Sequence, residues 1–269
     1  MNHSSLSRRI FARTVRIAYR AFVWLAFLFV LSPMLLMVFV AFNDADYFSF
    51  PPEGLSFRWF KEMADNSEYR GSIVASLKLS AVATLLSVLL SLPAAIWLRR
   101  SGSRLAESIL LAPLFFPLVI WSLGLLQFYG MVGLSGSFLS LVLAHTVMIT
   151  PFILRIVVQS LRELNGRLEE AAYSLGASKW GTFRKVTLPL ILPGVFVGAV
   201  FGYLLSFTDV TLTMFISSSG SPTFPVRVYS EQRSEGLNQI VLAWSAIITL
   251  VIFAISLLGE KLARWSRHF

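Results

Sequence analysis

Six apolar runs, each about long enough to cross a lipid bilayer, constrain this chain more than any other feature. They are Ala21–Phe42, Ile73–Leu98, Ser108–Tyr129, Phe138–Val158, Leu190–Thr208 and Ile240–Leu258. A span needs roughly 20 residues at about 1.5 Å each. With no water in the hydrocarbon, each run has to satisfy its own backbone hydrogen bonds, which selects helices. Charged residues are only 14% of the 269, against roughly a quarter in a soluble domain. The expected fold class is therefore all-α and integral to the membrane, with six transmembrane helices. The expected organisation is a cytoplasmic tail (1–20), a first helix (21–42), an outer loop (43–71), a five-helix core (72–258) and a second tail (259–269). The core contains a polar loop over 159–189.

The distribution of charge sets the orientation. Seventeen of the 23 basic residues fall on one face: the N-terminal tail from Arg8 to Arg20, the turn holding Arg99, Arg100 and Arg104, the 159–189 loop with its edge at Arg155, and the C-terminal tail. The opposite face holds five, among them Arg58 and Arg227, with nine of the acids, and Lys78 lies within a span. Basic loops stay in the cytoplasm, so both tails and the 159–189 loop are expected there. The pI near 10.3 thus reports topology and not nucleic-acid binding. The first apolar run is 22 residues and ends without a small-residue cleavage site, so it reads as a retained helix and not a signal peptide. No cysteine is present, which removes disulfides and thiolate metal sites.

Two outer segments carry further local structure. In the 43–71 loop, Ser56 is placed to cap a short amphipathic helix over Phe57–Met63. Between the fifth and sixth spans, Ser217–Pro222 reads as a turn, and Phe224–Tyr229 is too short to span and is expected to fold back. The connection Gly130–Ser137 is short, which predicts that the third and fourth spans are antiparallel neighbours. Pro93, Pro113, Pro117 and Pro151 predict kinks.

The 159–189 loop contains two short helices. Asn165 caps the first, with Glu169 and Glu170 in its early turns, where acids suit the helix dipole. Leu168, Ala171, Ala172 and Leu175 fall on one stripe that the two alanines keep flat, and Gly176 follows as the C-cap. Ser178 caps a second helix through Trp180, Phe183 and Val186, expected to end before Pro189. Such a helix–turn–helix joined to two membrane helices is a lever. The competing reading is an amphipathic loop resting on anionic lipid, favoured by Lys179, Arg184 and Lys185. The segment Gly176–Thr182 has two glycines at phosphate-loop separation but no lysine after the second and no preceding strand, so ATP is not hydrolysed there. The only histidines are His3, His145 and His268, and the spans hold no paired carboxylates. No catalytic set and no cofactor are expected.

Ionisable and polar groups at membrane depth are functional candidates by default. Lys78 reads as a snorkelling anchor or a path-lining group, and His145 as an interhelical link or a path-lining group. Asp209, following Thr208 at the end of the fifth span, is the candidate contact for a cation.

The stretch Glu170-Ala171-Ala172, then Gly176, then Val186-Thr187-Leu188-Pro189 resembles the EAA signature of the permeases of binding-protein-dependent ABC importers. The resemblance implies the type I (MetI-like) importer fold, with Glu169, Glu170, Ala171, Ala172, Leu175, Gly176 and Pro189 coupling the chain to a separate ATP-binding subunit. Ala144-His145-Thr146, Leu205–Val210 and Phe224–Ser230 further look like the second membrane subunit of spermidine/putrescine importers. That family implies a second homologous permease, two ATPase subunits and a periplasmic solute-binding protein as partners, in the bacterial inner membrane. It also implies polyamine cargo, with 2-aminoethylphosphonate, ferric iron or another small solute as alternatives. The polyamine permeases tend to carry two consecutive acids where this chain has Thr208-Asp209. A stand-alone ion-driven carrier would need inverted halves and buried coupling acids, which the spans lack.

Overall fold

The computed structural model describes residues 3–217, 222–234, 236 and 238–265, with side chains described from Arg13 to Leu257. Ser218–Ser221, Glu235 and the side chains of Arg8, Arg9, Lys261, Arg264 and Arg267 lie outside this description. Among the described residues every regular element is helical. They are α1 (His3–Val40), α2 (Arg58–Asp65), α3 (Ser67–Ser101), α4 (Arg104–Leu111), α5 (Leu118–Met131) and α6 (Phe138–Glu163). The remainder are α7 (Gly166–Ser174), α8 (Lys179–Thr182), α9 (Leu188–Thr208), α10 (Thr211–Ile216), α11 (Phe224–Ser234) and α12 (Gln239–Trp265). Five described helices are long and apolar enough to cross a membrane, six if one bent pair is a single span.

Helix ends depart from the apolar runs because hydrophobicity locates the membrane while capping locates the terminus. α3 starts at Ser67 and not beyond Gly71, because the Asn66 side chain accepts from the amides of Glu68 and Tyr69. The outer loop is shorter than 43–71 accordingly. α1 is already helical through most of the 1–20 tail, and α6 runs on to Glu163, inside the expected 159–189 loop. Pro93 and Pro151 lie within helices that continue past them.

The third span is the main correction. Ser108–Tyr129 is not one helix: α4 tightens into a 3₁₀ turn at Ala112–Phe115, and the chain bends 95° before α5. Phe116 adopts extended φ −86°, ψ 136°, the conformation forced on a residue before proline, and Pro117 has no N–H to continue the ladder. The 14 residues of α5 reach only about 21 Å, too short to cross the hydrocarbon alone. Its chief neighbour is α10 and not α6, so the short Gly130–Ser137 connection does not place the two as a packed antiparallel pair.

The chain divides into two units, Met1–Asp65 with Leu237–Val251, and Asn66–Gly236 with Ile252–Phe269. In the first, Trp59 and Met63 of α2 are buried against Ala243 of α12. The buried Asn43 organises the loop before α2: its side chain donates to Ser49 Oγ (2.8 Å) and accepts from the Glu53 amide (3.1 Å), while its carbonyl accepts from Trp59 Nε1 (2.9 Å).

The core of the second unit is α3, α6 and α9. α3 buries a stripe of small residues, Ser76, Ser80, Ala83, Ser87, Ser91 and Ala95, which lets a neighbouring backbone approach closely. Ser87 Oγ donates to Thr146 O (3.1 Å) and Ser91 Oγ to Thr150 O (3.3 Å), so α3 and α6 run parallel in a fixed register. α9 closes on α6 where Gly202 faces Ile153; a Cβ there would lie 2.7 Å from Ile153 Cδ1. At its N-terminal end α3 also receives α11. The Phe224 amide donates to Ser76 Oγ (2.8 Å), and Arg227 reaches Ser72 Oγ (2.8 Å) and Glu68 Oε2 (2.7 Å).

Candidate functional site

The helical loop between α6 and α9 is built from local signals. The Asn165 side chain accepts from the Arg167 amide (3.1 Å) and opens α7. α7 closes with Ala177 N donating to Ala172 O (3.0 Å) and Gly176 N to Tyr173 O (2.9 Å), the paired bonds of a Schellman motif. Gly176 sits at φ +83°, where a side chain would be strained. Ser178 Oγ then accepts from the Gly181 amide (3.1 Å) to start α8.

Beyond α8 the expected break before Pro189 is absent. Phe183–Thr187 forms a π turn in which Leu188 N bonds Phe183 O, and α9 follows directly with Pro189 in its first turn. The wider turn suits a proline, whose missing N–H would otherwise leave an acceptor of an α ladder unfilled. One continuous helical segment, Lys179–Thr208, therefore joins the loop to the core.

The two adjacent glutamates point different ways. Glu169 turns inward: Arg99 at the end of α3 reaches it at 2.9 and 3.2 Å, and Thr187 Oγ1 donates to it at 2.5 Å. Glu170, Ala171, Leu175 and Gly176 are exposed, and Ala172 is half-buried. Leu175 is 89% exposed and Trp180 69%. Arg99 and Thr187 were not candidates on sequence, because they lie 70 and 18 residues from Glu169. The loop thus has an inner face tied to α3 and the start of α9, and an outer face of apolar and small side chains.

The second location is a cavity of about 330 Å³ at the α4–α5 bend, lined by residues including Phe116, Trp121, Phe152, Thr208 and Asp209. Among the described residues Asp209 is the only charged side chain on its wall. The carboxylate is mostly buried and caps α10: Oδ2 accepts from the Thr213 amide (2.9 Å) and Thr213 Oγ1 (3.1 Å), Oδ1 from the Leu212 amide (3.3 Å). Thr208 donates to Leu204 O (2.8 Å). His145 is fully buried behind Asp209, with Nδ1 2.8 Å from Ser206 Oγ, Nε2 3.0 Å from Thr213 Oγ1 and 3.9 Å from Asp209 Oδ2. It is not on the cavity wall.

Thus His145, Thr208 and Asp209 come together, whereas Lys78 does not join them. The α3–α6 register of 59 residues sets Lys78 level with Ser137, about 12 Å along α6 from His145, and its side chain is exposed. Thr213 was missed. The pattern Asp209-Val210-Thr211-Leu212-Thr213 does carry a helix-cap signal, an acid ahead of free amides, which would have found it. Among the described residues, no group of three or more His, Asp or Glu side chains is placed to hold a metal.

The family described as "Binding-protein-dependent transport system inner membrane component" matches residues 6–268. The putrescine transport system permease protein PotI of Escherichia coli (strain K12) is 31% identical over 247 residues, covering 87% of this chain and 85% of that one. The spermidine/putrescine transport system permease protein PotC of Haemophilus influenzae is 27% identical over 251 residues, covering 92% and 97%. In structure, a chain of a bacterial ABC transporter involved in the import of the acidic polysaccharide alginate superposes with TM-score 0.71 at 16% identity, covering 95% and 97%.

Proposed function

The chain belongs to the family of inner membrane components of binding-protein-dependent transport systems, and we propose that it imports putrescine or spermidine as one of two permeases of an ATP-driven importer. As a family member it is a multi-pass permease subunit of an ABC importer, with the fold of that class. The cavity at the α4–α5 bend carries the cargo reading. Among the described residues a single carboxylate, Asp209, stands among Phe116, Trp121 and Phe152, with no basic side chain on the wall. A carboxylate beside aromatic rings suits a primary ammonium on an alkyl chain, through a charge-assisted hydrogen bond and cation–π attraction. The similarity to PotI and PotC supports the same cargo.

The machinery follows from the loop. With the tails and the loop on the cytoplasmic side, the exposed face of Glu170, Ala171, Leu175 and Gly176 docks on an ATP-binding subunit. Closure of the ATPase pair pushes α7. The push passes through Glu169 to Arg99 of α3, and through the unbroken α8–α9 segment to Asp209 at its far end. A periplasmic solute-binding protein delivers cargo on the opposite side, and a second permease completes the path. ATP hydrolysis belongs to the partner, and this chain performs no catalysis.

A second reading, 2-aminoethylphosphonate, is favoured by one observation. Among the described residues the wall carries one carboxylate, Asp209, which answers the one ammonium of 2-aminoethylphosphonate and offers no partner to a second. Uptake of labelled putrescine and spermidine, measured with and without this chain and with 2-aminoethylphosphonate as competitor, separates the two. Loss of polyamine uptake on deletion is the expected result; unchanged uptake refutes the polyamine assignment and leaves the permease assignment intact.

A further inference from the structure

A histidine with no exposed surface in the middle of a membrane helix needs a reason. Burying an imidazole costs free energy unless both ring nitrogens are bonded, and in His145 both are, to α9 through Ser206 and to α10 through Thr213. The direction of these bonds can be assigned. Thr213 Oγ1 lies 3.1 Å from Asp209 Oδ2, and an ionised carboxylate only accepts, so the threonine hydroxyl donates to Asp209. Its oxygen must then accept from His145 Nε2–H at 3.0 Å. Nδ1 is left as the acceptor for the Ser206 hydroxyl at 2.8 Å. The chain of donation runs one way, from Ser206 through His145 and Thr213 into Oδ2 of Asp209.

The consequence falls on the carboxylate. Oδ2 receives both the amide and the hydroxyl of Thr213, while Oδ1 receives only the long 3.3 Å contact from the Leu212 amide. The unfilled acceptor capacity of Asp209 is therefore on Oδ1, in a residue of the cavity wall. A carboxylate free to rotate would present either oxygen, or both weakly, to an incoming cation. Here Oδ2 is engaged by both groups of Thr213, which holds the plane of the carboxylate and leaves the spare acceptor capacity on Oδ1.

We propose that His145 and Thr213 are positioning residues for cargo recognition: through the Ser206–His145–Thr213 relay they orient Asp209 so that one carboxylate oxygen is held ready for a primary ammonium. The inference rests on the polyamine reading above for the identity of the cation. Neither residue touches cargo. They act by preorganising the group that does, which lowers the reorganisation needed on binding.

The test is putrescine uptake in cells expressing the full transporter with Thr213→Val, Thr213→Ser, His145→Leu or His145→Gln, each normalised to the amount of chain in the membrane. Thr213→Val keeps the side-chain volume and the backbone amide bond to Asp209 but deletes the hydroxyl. Its KM for putrescine is expected to rise about tenfold, with the maximal rate held within about twofold, since an interaction with bound cargo is weakened while the conformational cycle is intact. Thr213→Ser restores the hydroxyl and is expected to restore KM. His145→Gln keeps a donor near the Nε2 position and is expected to exceed His145→Leu. An unchanged KM in Thr213→Val refutes the relay. A fall in maximal rate or membrane abundance with KM unmoved, shared by Val and Ser, also refutes it and assigns these residues to packing alone. If His145→Leu fails to accumulate, the threonine pair decides. Failure of the wild-type chain to support putrescine uptake refutes the cargo reading, and the ammonium role with it. Wild-type uptake with a flat Thr213→Val profile refutes the relay alone.

Discussion

Removing the tie between Glu169 and Arg99 tests whether the loop is mechanically joined to α3. The pair makes two contacts, at 2.9 and 3.2 Å, with side chains 20% and 25% exposed. Fully exposed ion pairs contribute about 0.2–1 kcal/mol, and hydrogen bonds to charged groups in more protected settings about 1.5–3 kcal/mol. This pair lies between those limits, so a coupling energy of about 1–2 kcal/mol is expected from the cycle of Arg99→Ala, Glu169→Ala and the double variant. Glu169→Ala should be the more severe single change, because it also strands the Thr187 hydroxyl that donates at 2.5 Å. Unfolding of the assembled transporter in detergent measures the stability cycle. The functional readout is cargo imported per ATP hydrolysed in proteoliposomes, which is expected to fall under the proposal that α7 carries ATPase closure to α3. A coupling loss of about 1.4 kcal/mol corresponds to a tenfold change in the equilibrium it biases. Additivity of the two single changes within about 0.5 kcal/mol, together with an unchanged transport-to-hydrolysis ratio, refutes the tie.

Gly176→Ala places a side chain at φ +83° and is expected to destabilise the α7 terminus by about 1–2 kcal/mol, with Gly176→Asn milder; ATPase co-purification from membranes reads the effect. Leu175→Arg and Trp180→Glu alter side chains that are 89% and 69% exposed; membrane insertion should be unchanged while co-purification of the ATP-binding subunit falls, and retained co-purification argues against this docking face. Gly202→Leu overfills the contact with Ile153, where even a Cβ would sit 2.7 Å from Cδ1, and overpacking of this kind costs about 1–3 kcal/mol, visible as reduced chain in the membrane. Asp209→Asn keeps the shape of the α10 cap but removes the charge, so putrescine KM should rise with little loss of chain; an unchanged KM excludes the carboxylate as the ammonium contact.

The sequence alone determined what depends on neighbours a few residues away. The apolar runs located the membrane helices because hydrophobic length is a property of a contiguous segment. Asn165, Gly176 and Ser178 announced the shape of the loop because a cap acts on amides or carbonyls within a turn. Pro113 and Pro117 announced a kink in the third span, though not a 95° bend that makes it two helices, with a cavity at the bend that reaches Asp209. What the tertiary structure decided are the pairings across long stretches of chain. Periodicity does not say which of two adjacent glutamates faces inward; the docking of α3 beside the loop brought Arg99 to Glu169. Nor does a lone mid-span histidine say whether it lines a path or supports one. Its bonding partners lie 61 and 68 residues away, on α9 and α10, and only the packing of those helices on α6 brings them to the ring. Local chemistry writes the elements, and only their packing determines which polar groups meet, because a hydrogen bond in the membrane core is satisfied by whatever the fold brings within 3 Å.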